Sequence, residues 1–223
     1  MLRLSKDETI VRMPFEVRHM GSKYPIFSFD FTGAKRGVLP ASYDYLRLEG
    51  RMQYRLNLPP IGYSQLMLEG GKIFGKVPYL LLKLHEGNGT YFYDRYAFSC
   101  MNFYEFSSDA WISFFYEHHF NGFLLGRVPL LKKLNWREVF VFKGVYGTLS
   151  ARNDGSLPNT KAVMLFPVGM SSVEHPYLET GFGIENIFRL LRVDCIWRLT
   201  HHRAVPGLSI PTFTVNFSLN LKF

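Results

Sequence analysis

The residues whose types and spacing best suggest chemistry lie between positions 113 and 119. Ser113, Glu117 and His119 supply the nucleophile, acid and base of a hydrolase, and in a strand all three would lie on one face. However, six residues of strand separate Ser113 from His119 by about 20 Å, which is too far for a hydrogen bond. We therefore expect no catalytic residue and no enzymatic activity.

The pairs His118-His119 and His201-His202 are the most plausible candidates for metal binding. Because adjacent strand residues point to opposite faces, His118 and His119 would not bind one ion, and we expect them at a strand end. His201-His202 has no Cys, Asp or Glu at ligand spacing. Gly181-Phe182-Gly183 opens no helix, so we expect its glycines to relieve crowding in a strand rather than bind a nucleotide. The sequence thus predicts no metal and no cofactor.

The elements that must position these residues are constrained by composition. The 223 residues are 47% hydrophobic, with 21 Phe and 13 Tyr, which excludes a disordered chain. Apolar runs such as Ala162–Phe166 fall far below the roughly 20 residues of a membrane-spanning helix. Two cysteines, Cys100 and Cys195, cannot supply a disulfide framework. The apolar residues must therefore alternate with polar ones.

The net charge of +8 comes from 26 Lys and Arg against 18 Asp and Glu. The basic residues form small clusters beside apolar ones, without a nucleic-acid-binding motif. This pattern suits anionic lipid headgroups, so we expect a membrane surface and no nucleic acid as partner.

Strict alternation is clearest in the last eleven residues, Phe213–Phe223. Such a pattern places one face of a strand in an apolar medium and the other in a polar one. Soluble strands usually have about five or six residues, whereas tilted membrane strands need about 9–11. The length therefore favours a membrane strand.

The same period recurs along the chain and predicts an all-β fold, an antiparallel transmembrane β-barrel of about ten strands. The candidate strands are Thr9–Met20, Pro25–Thr32, Leu46–Leu58, Ser64–Lys72, Tyr96–Phe106, Trp111–Phe120, Glu138–Leu149, Leu178–Glu185, Arg192–Thr200 and Pro211–Phe223. A soluble β-barrel that binds a hydrophobic ligand is the alternative, because its strands also alternate.

The final strand resembles the C-terminal assembly signal of bacterial outer-membrane proteins, which ends on Phe. The apolar positions that carry this resemblance are Phe213, Val215, Phe217, Leu219, Leu221 and Phe223. The resemblance implies a protein of the cell outer membrane, with outer-membrane lipid and the barrel-assembly machinery as partners.

Five further segments are similar to one family. They are Leu84–Asp94, Met101–Phe106, Glu117–Gly122, Pro129–Glu138 and Pro176–Phe188. Together they resemble the C-terminal barrel region of a Bacteroidota outer-membrane family of unknown function, whose members carry an N-terminal carboxypeptidase-regulatory-like domain. The resemblance implies that residues 1–223 are a single outer-membrane β-barrel domain, truncated at its N-terminus and belonging to a larger barrel. It supplies no catalytic residues.

A periplasmic C-terminus, as such barrels have, lets the strands be counted backwards. The count assigns Gly33–Ser42, Ile73–Arg95, Asn121–Trp136 and Asn186–Leu191 to the periplasmic side. It assigns Pro59–Gly62, Ser107–Asp109, Ser150–Pro176 and His201–Thr212 to the outside. Two of the periplasmic connections contain apolar and basic runs, Val77–Leu84 and Val128–Leu134, which predict short amphipathic helices or segments at the membrane interface.

The polar positions of the clearer strands predict a charged lumen whose basic and acidic residues balance and pair across strands. The predicted lumen charges are Arg47, Glu49, Arg51, Arg55, Glu69, Glu117, Glu179, Glu185, Arg192, Asp194, Arg198 and Lys222. The sequence therefore predicts a non-enzymatic outer-membrane barrel with a structural, transport-related or assembly-related role.

Overall fold

The computed structural model describes residues 1–37, 42–202 and 209–219, and they form an almost entirely β structure. One short helix, α1 (Pro129–Lys132), and two 3-10 turns, Tyr79–Leu81 and Leu125–Arg127, accompany the strands. The strands are β1 (Leu2–Leu4), β2 (Thr9–Arg12), β3 (Val17–Gly21), β4 (Ile26–Ala34), β5 (Tyr45–Asn57), β6 (Tyr63–Gly75), β7 (Lys83–Leu84), β8 (Phe106–Ser108), β9 (Ala110–His119), β10 (Arg137–Thr148), β11 (Ser171–Ser172), β12 (Tyr177–Ile187), β13 (Leu191–Arg198) and β14 (Phe213–Leu219). No helix among the described residues is long and apolar enough to cross a membrane.

Nine strands form the main sheet, in the order β1-β4-β5-β6-β9-β10-β12-β13-β14. Every neighbouring pair in it is antiparallel. The predicted all-β, antiparallel fold is therefore confirmed. Within the described residues no strand pairing joins β14 to β1 or β4, so these residues do not form a closed barrel.

Eight of the ten candidate strands are long strands of this sheet, namely β4, β5, β6, β9, β10, β12, β13 and β14. The other two predictions are wrong. Thr9–Met20 is split by a turn, in which Met13 N–H donates to the Glu16 carbonyl, and it becomes the separate hairpin β2–β3. Most of Tyr96–Phe106 is irregular: Ala97 through Met101 are buried one after another instead of alternately.

The main sheet has two faces of opposite character. The face that we call inner carries the predicted lumen charges, and Lys143, Glu179 and Asp194 on it are 0% exposed. The face that we call outer presents large apolar side chains, each more than a third exposed. They are Phe27, Phe29, Phe31, Leu46, Leu56, Phe74, Ile112, Tyr146, Phe182, Trp197, Phe213, Phe217 and Leu219.

Residues 76–105, which we call the inserted segment, connect β6 to β8 and lie against the inner face. Phe98 and Met101 of this segment pack in a core cluster with Phe115 and Tyr177 of the sheet. Val77 and Leu82 are buried in a second cluster and only Tyr79–Leu81 is helical, so the amphipathic helix predicted over Val77–Leu84 is not found, and the alternative of a segment at the membrane interface stays a prediction. These apolar side chains find a protein core beside them and need no membrane to cover them.

The second apolar and basic run, Val128–Leu134, contains the short helix α1. Its Leu130 is 79% exposed, as a segment lying on a surface requires. The predicted short helix is therefore present.

Loss of the strand predicted over Tyr96–Phe106 changes the strand count. Connections 35–44, 76–109, 149–176 and 199–212 lie at one end of the sheet, and 58–62, 120–136 and 188–190 lie at the other. The predicted sides of Gly33–Ser42, Pro59–Gly62 and Ile73–Arg95 are therefore inverted relative to those of the connections after β9, whereas Ser107–Asp109 lies at the same end as the other connections predicted to face outward. Parts of the first and last long connections, 38–41 and 203–208, lie outside the described residues.

Candidate functional site

The strand register places the predicted lumen charges on one face of the sheet. Ser28 faces Arg51 and Arg51 faces Glu69, while Glu179 faces Arg198, and residues directly opposite each other share a face. Eleven of the twelve predicted charges are described, and all lie on this inner face. Lys222, like Leu221 and Phe223 of the assembly signal, lies outside the described residues. That this face lines a lumen stays a prediction.

Glu117 on β9 is the centre of a buried polar network, and its side chain is 1% exposed. Arg95 of the inserted segment donates from Nε to Glu117 Oε2 at 2.8 Å, and the Tyr93 hydroxyl donates to Oε1. Arg192 of β13 donates from Nη2 to Glu117 Oε1 at 3.2 Å, and His119 Nε2 lies 3.4 Å from Oε2. One carboxylate thus joins two strands to the inserted segment.

Glu179 and Lys143 bind the backbone of the inserted segment. The two oxygens of Glu179 accept hydrogen bonds from the N–H groups of Ser99 and Cys100, at 2.8 and 2.7 Å. Lys143 Nζ donates to the carbonyl oxygens of Asp94 and Ala97, at 2.7 and 2.6 Å. Because Lys143 and Glu179 are fully buried, these bonds compensate for the cost of removing two charges from water.

Both flanks of the inserted segment are tied to the sheet by ion pairs. At one flank Lys83 Nζ lies 2.7 Å from Glu69 Oε1, and Arg51 Nη2 lies 2.6 Å from the other oxygen of Glu69. At the other flank Arg198 Nη2 donates to Glu105 Oε1 at 2.6 Å. Ion pairs and hydrogen bonds to charged residues of the sheet thus hold the inserted segment in place from Lys83 to Glu105.

The prediction that lumen charges pair across strands holds for Arg51 with Glu69 and for Arg192 with Glu117. Arg47 instead pairs with Glu49, and Arg192 pairs additionally with Asp194, in each case two residues along the same strand. Most of the remaining buried charges bind the inserted segment instead. Pairing across strands was expected because nothing in the alternation indicates that a chain segment lies against this face.

Sequence reasoning missed Lys143, Tyr93 and Arg95 as members of the network. Lys143 is preceded by Val139 and Val141 at alternate positions, so β10 is apolar on both faces and its pattern is weak. A single Lys among buried valines was the available signal, since a buried charge requires specific partners. Tyr93 and Arg95 lie outside the strands, where an alternation of apolar and polar residues is not expected and so cannot indicate which side chains are buried.

The inner-face glycines make room for the network, as predicted. A Cβ atom added at Gly183 would lie 2.1 Å from Asp194 Oδ1, and one at Gly181 would lie 2.8 Å from the side chain of Ile196. Larger residues at either position would displace the Asp194 carboxylate or the core beneath it.

Two titratable groups of the inserted segment are buried beside the network. Burial, aided by the charge of Lys83, lowers the pKa of His85 to about 3, and its Nε2 lies 3.0 Å from Ser108 Oγ. Burial, aided by the negative charge of Glu179, raises the pKa of Cys100 to about 12. Both groups are therefore neutral at physiological pH.

The residues considered for catalysis and metal binding have structural contacts. His118 Nδ1 lies 2.8 Å from Ser64 Oγ and belongs to the outer face, whereas His119 Nδ1 lies 3.1 Å from Glu185 Oε2 on the inner face. His201 Nε2 lies 2.8 Å from the His175 carbonyl oxygen. Among the described residues there is no group of three or more His, Cys, Asp or Glu side chains that could hold a metal ion.

Among the described residues, not every buried polar atom at the interface between the sheet and the inserted segment is hydrogen-bonded. Four buried polar atoms there have no hydrogen-bond partner in the part of the chain that the structure describes: Ser99 Oγ, Ser107 Oγ, Trp111 Nε1 and Asn216 Oδ1. Each unpaired buried group costs about 1–3 kcal/mol.

A cavity of about 700 Å³ lies between the β2–β3 region and the inner face. Lys23 and Tyr24 line it on one side, and Arg55, Gln65 and Glu117 line it on the other. Its mixed polar and aromatic walls differ from the apolar walls typical of hydrophobic-ligand sites.

These features define a class of all-β protein: a broad antiparallel sheet with a buried charged face, which holds a long connection of its own chain. A family model matches residues 7–151, and the chain belongs to that family, described as the C-terminal domain of a family of unknown function, DUF5686. Four of the five segments that carry the resemblance lie within the match, and Pro176–Phe188 lies beyond it. No curated protein is significantly similar to the chain.

Proposed function

We propose that the chain belongs to an outer-membrane β-barrel, in which its main sheet forms part of the barrel wall and residues 76–105 occupy part of the interior. The protein would be a non-catalytic protein of the cell outer membrane with a structural, transport-related or assembly-related role. The observation that carries the proposal is the opposite character of the two faces of the main sheet. On the inner face Lys143 and the predicted lumen charges of β6, β9, β12 and β13 are buried, whereas those of β5 are partly or fully exposed; on the outer face aromatic and aliphatic side chains are exposed.

The outer face argues for lipid as its medium. Phe31, Phe182 and Leu219 are 60–66% exposed, although they lie on three different strands of the sheet. Soluble monomers rarely expose apolar patches that extend over a whole sheet, because such patches aggregate in water. Lipid contact would stabilise every one of these side chains. Lys72 and Glu138, which share this face, lie near strand ends, where charges reach an interface at low cost.

Strand lengths and connections also support the proposal. β5, β6, β10 and β12 have 11–13 residues, enough for a tilted strand to cross a bilayer. The longest connections meet at one end of the sheet, as the extracellular loops of outer-membrane barrels do. At the other end, connection 120–136 carries three basic residues and no acidic one, which suits anionic headgroups.

The inserted segment supports a barrel wider than the eight long strands. Barrels of about eight strands have an interior that side chains alone nearly fill. Here the inner face accommodates 30 additional residues, 76–105, so further strands would be needed to enclose them. This favours the expectation that the chain is the C-terminal part of a larger barrel. It also means that any transport through the interior requires the inserted segment to move.

The barrel-assembly machinery is the protein partner that the proposal includes. In β14 the apolar positions of the assembly signal, Phe213, Val215, Phe217 and Leu219, alternate with Thr214, Asn216 and Ser218. A strand of this pattern at the edge of a sheet is suited to recognition by strand addition.

Migration on a denaturing gel before and after heating tests the proposal. A detergent-refolded outer-membrane barrel should migrate differently when unheated, and refolding should require detergent or lipid. A chain that is monodisperse without detergent would contradict the proposal and favour the soluble, ligand-binding alternative. The charged, occupied inner face argues against that alternative, because a hydrophobic ligand would have to displace ion pairs.

A further inference from the structure

The outward edge of β14 is occupied by the inserted segment. Phe217 N–H donates to the Tyr91 carbonyl oxygen at 2.7 Å, and Tyr93 N–H donates to the Phe217 carbonyl oxygen at 2.8 Å. Phe92 and Phe217 thus form a single parallel β-bridge, on the side of β14 away from β13. Tyr91–Tyr93 act as a short surrogate strand at the end of the main sheet.

This occupation covers only part of the edge. In a strand, the backbone N–H and C=O groups point to the same side at every second residue. The backbone groups of Phe213, Val215 and Leu219 therefore point away from β13, as those of Phe217 do. Among the described residues, only Phe217 makes backbone hydrogen bonds on that side. Parallel pairing is also slightly less stable per residue than antiparallel pairing. A full antiparallel strand would therefore make more bonds to β14 than Tyr91–Tyr93 do.

Departure of the surrogate strand would disturb the buried network. Asn216 is 0% exposed and donates from Nδ2 to the Thr90 carbonyl oxygen at 3.1 Å. Next to the bridge, the Tyr93 hydroxyl donates to Glu117, and the Tyr93 ring lies 4.4 Å from the Arg192 guanidinium. Pairing at the edge of β14 is thus coupled to the contacts that hold the inserted segment.

We propose that the outward edge of β14 is a docking site for a further antiparallel strand, and that Tyr91–Tyr93 hold this site until that strand displaces them. The inference rests on the proposed function, in which the arriving strand is the one that closes the barrel. Closure removes both edges of a sheet, so the bridge at Phe217 and a closed barrel exclude each other.

A reversible lock tests the proposal. Phe92→Cys and Phe217→Cys, in a chain that also carries Cys100→Ser and Cys195→Ser, place two thiols on the bridged pair. The probe is a synthetic peptide of residues 190–199 with Cys195→Ser, because this strand already pairs antiparallel with β14 at its other edge. Peptide affinity is measured by fluorescence anisotropy in the detergent in which the chain folds, with the lock oxidised and then reduced.

Reduction should strengthen peptide binding by about ten-fold or more, as expected when access to two or more hydrogen bonds is restored. The matched control joins the inserted segment to β13 instead, through Cys100 and Ile196→Cys with Cys195→Ser. Cys100 Sγ lies 3.6 Å from the Ile196 carbonyl oxygen, so the two positions are close to each other. Neither residue belongs to β14, so this lock leaves the edge of β14 accessible. Peptide affinity in the control should be the same in both redox states.

Equal affinity in both states of the Phe92–Phe217 lock would overturn the proposal, as would no binding to its reduced form. A control lock that blocks the peptide equally would also overturn it, because immobilising the segment, and not occupying the edge, would then be responsible. The competition between the peptide and Tyr91–Tyr93 for the edge of β14 does not depend on lipid. If the chain proves monodisperse without detergent, the proposed function fails, while the peptide experiment still decides the edge by itself in buffer.

Discussion

Arg198, the last residue of β13, and Glu105, the last residue of the inserted segment, form an ion pair with two hydrogen bonds. Arg198 Nη2 lies 2.6 Å from Glu105 Oε1, Nη1 lies 3.2 Å from Oε2, and the two side chains are 0% and 6% exposed. The same guanidinium donates to the carbonyl oxygens of Cys100 and His201. One side chain therefore determines where the inserted segment ends and where the following connection begins.

Removing one partner of this pair should destabilise the fold strongly. Glu105→Gln leaves the buried Arg198 guanidinium without its counter-charge, which should cost about 3–5 kcal/mol. The double variant Glu105→Gln/Arg198→Met should lose less than the sum of the single losses, because the uncompensated charge is then gone. Denaturant unfolding of the detergent-refolded chain measures these differences.

Arg47 and Glu49 provide the matched control for that experiment. They form an ion pair of the same length, 2.6 Å, but their side chains are about one quarter exposed. Arg47→Met should therefore change stability by less than about 1 kcal/mol. Equal effects at the two pairs would contradict the buried role of Arg198 and Glu105.

The two cysteines should differ sharply in reactivity. Cys100 is 0% exposed, and its pKa of about 12 leaves only roughly one thiolate in ten thousand at pH 8. In a Cys195→Ser chain, a water-soluble maleimide should modify Cys100 at least about a thousand-fold more slowly before unfolding than after. Comparable rates would show that the inserted segment leaves the inner face under native conditions.

Alternation in the sequence predicts the strands of the sheet well, because the apolar and polar side chains of each of these strands lie on opposite faces of the sheet. Leu178–Glu185 and Arg192–Thr200 are found as β12 and β13 with the expected charges on one face. The inserted segment could not be predicted this way. Its positions are set by bonds between its backbone and distant charges, such as Glu179 with Ser99 and Cys100, about 80 residues apart.

Acid should weaken the fold through His85. Its pKa is about 3 in the folded chain, mainly because burial disfavours the charged form, against 6.5 in the unfolded chain. Between these values the unfolded chain takes up a proton that the folded chain refuses. Stability should therefore fall with pH below about 6.5, by up to about 1.4 kcal/mol per pH unit.

The variant His85→Gln isolates this contribution. Glutamine keeps a polar group near Ser108 Oγ but does not titrate, so the slope of stability against pH should become shallower between pH 6.5 and 4.5. Urea midpoints for both chains at a series of pH values measure the difference. If the urea midpoints of the two chains depended on pH in the same way, His85 would have to be protonated in the folded chain and to have a solvated environment.

Substitutions on the outer face should distinguish lipid from water as its surroundings. Phe182 lies in the middle of β12, points outward and is 60% exposed, whereas Phe188 lies just beyond the strand and is 87% exposed. In lipid vesicles Phe182→Arg should cost about 2–4 kcal/mol, because it places a charge near the bilayer centre, and Phe188→Arg should cost about 0–1 kcal/mol. In water both changes replace an exposed apolar side chain and should stay within about 0.5 kcal/mol. Urea unfolding of the two variants in vesicles measures the difference, and equal stability would argue that the outer face does not contact the hydrocarbon core.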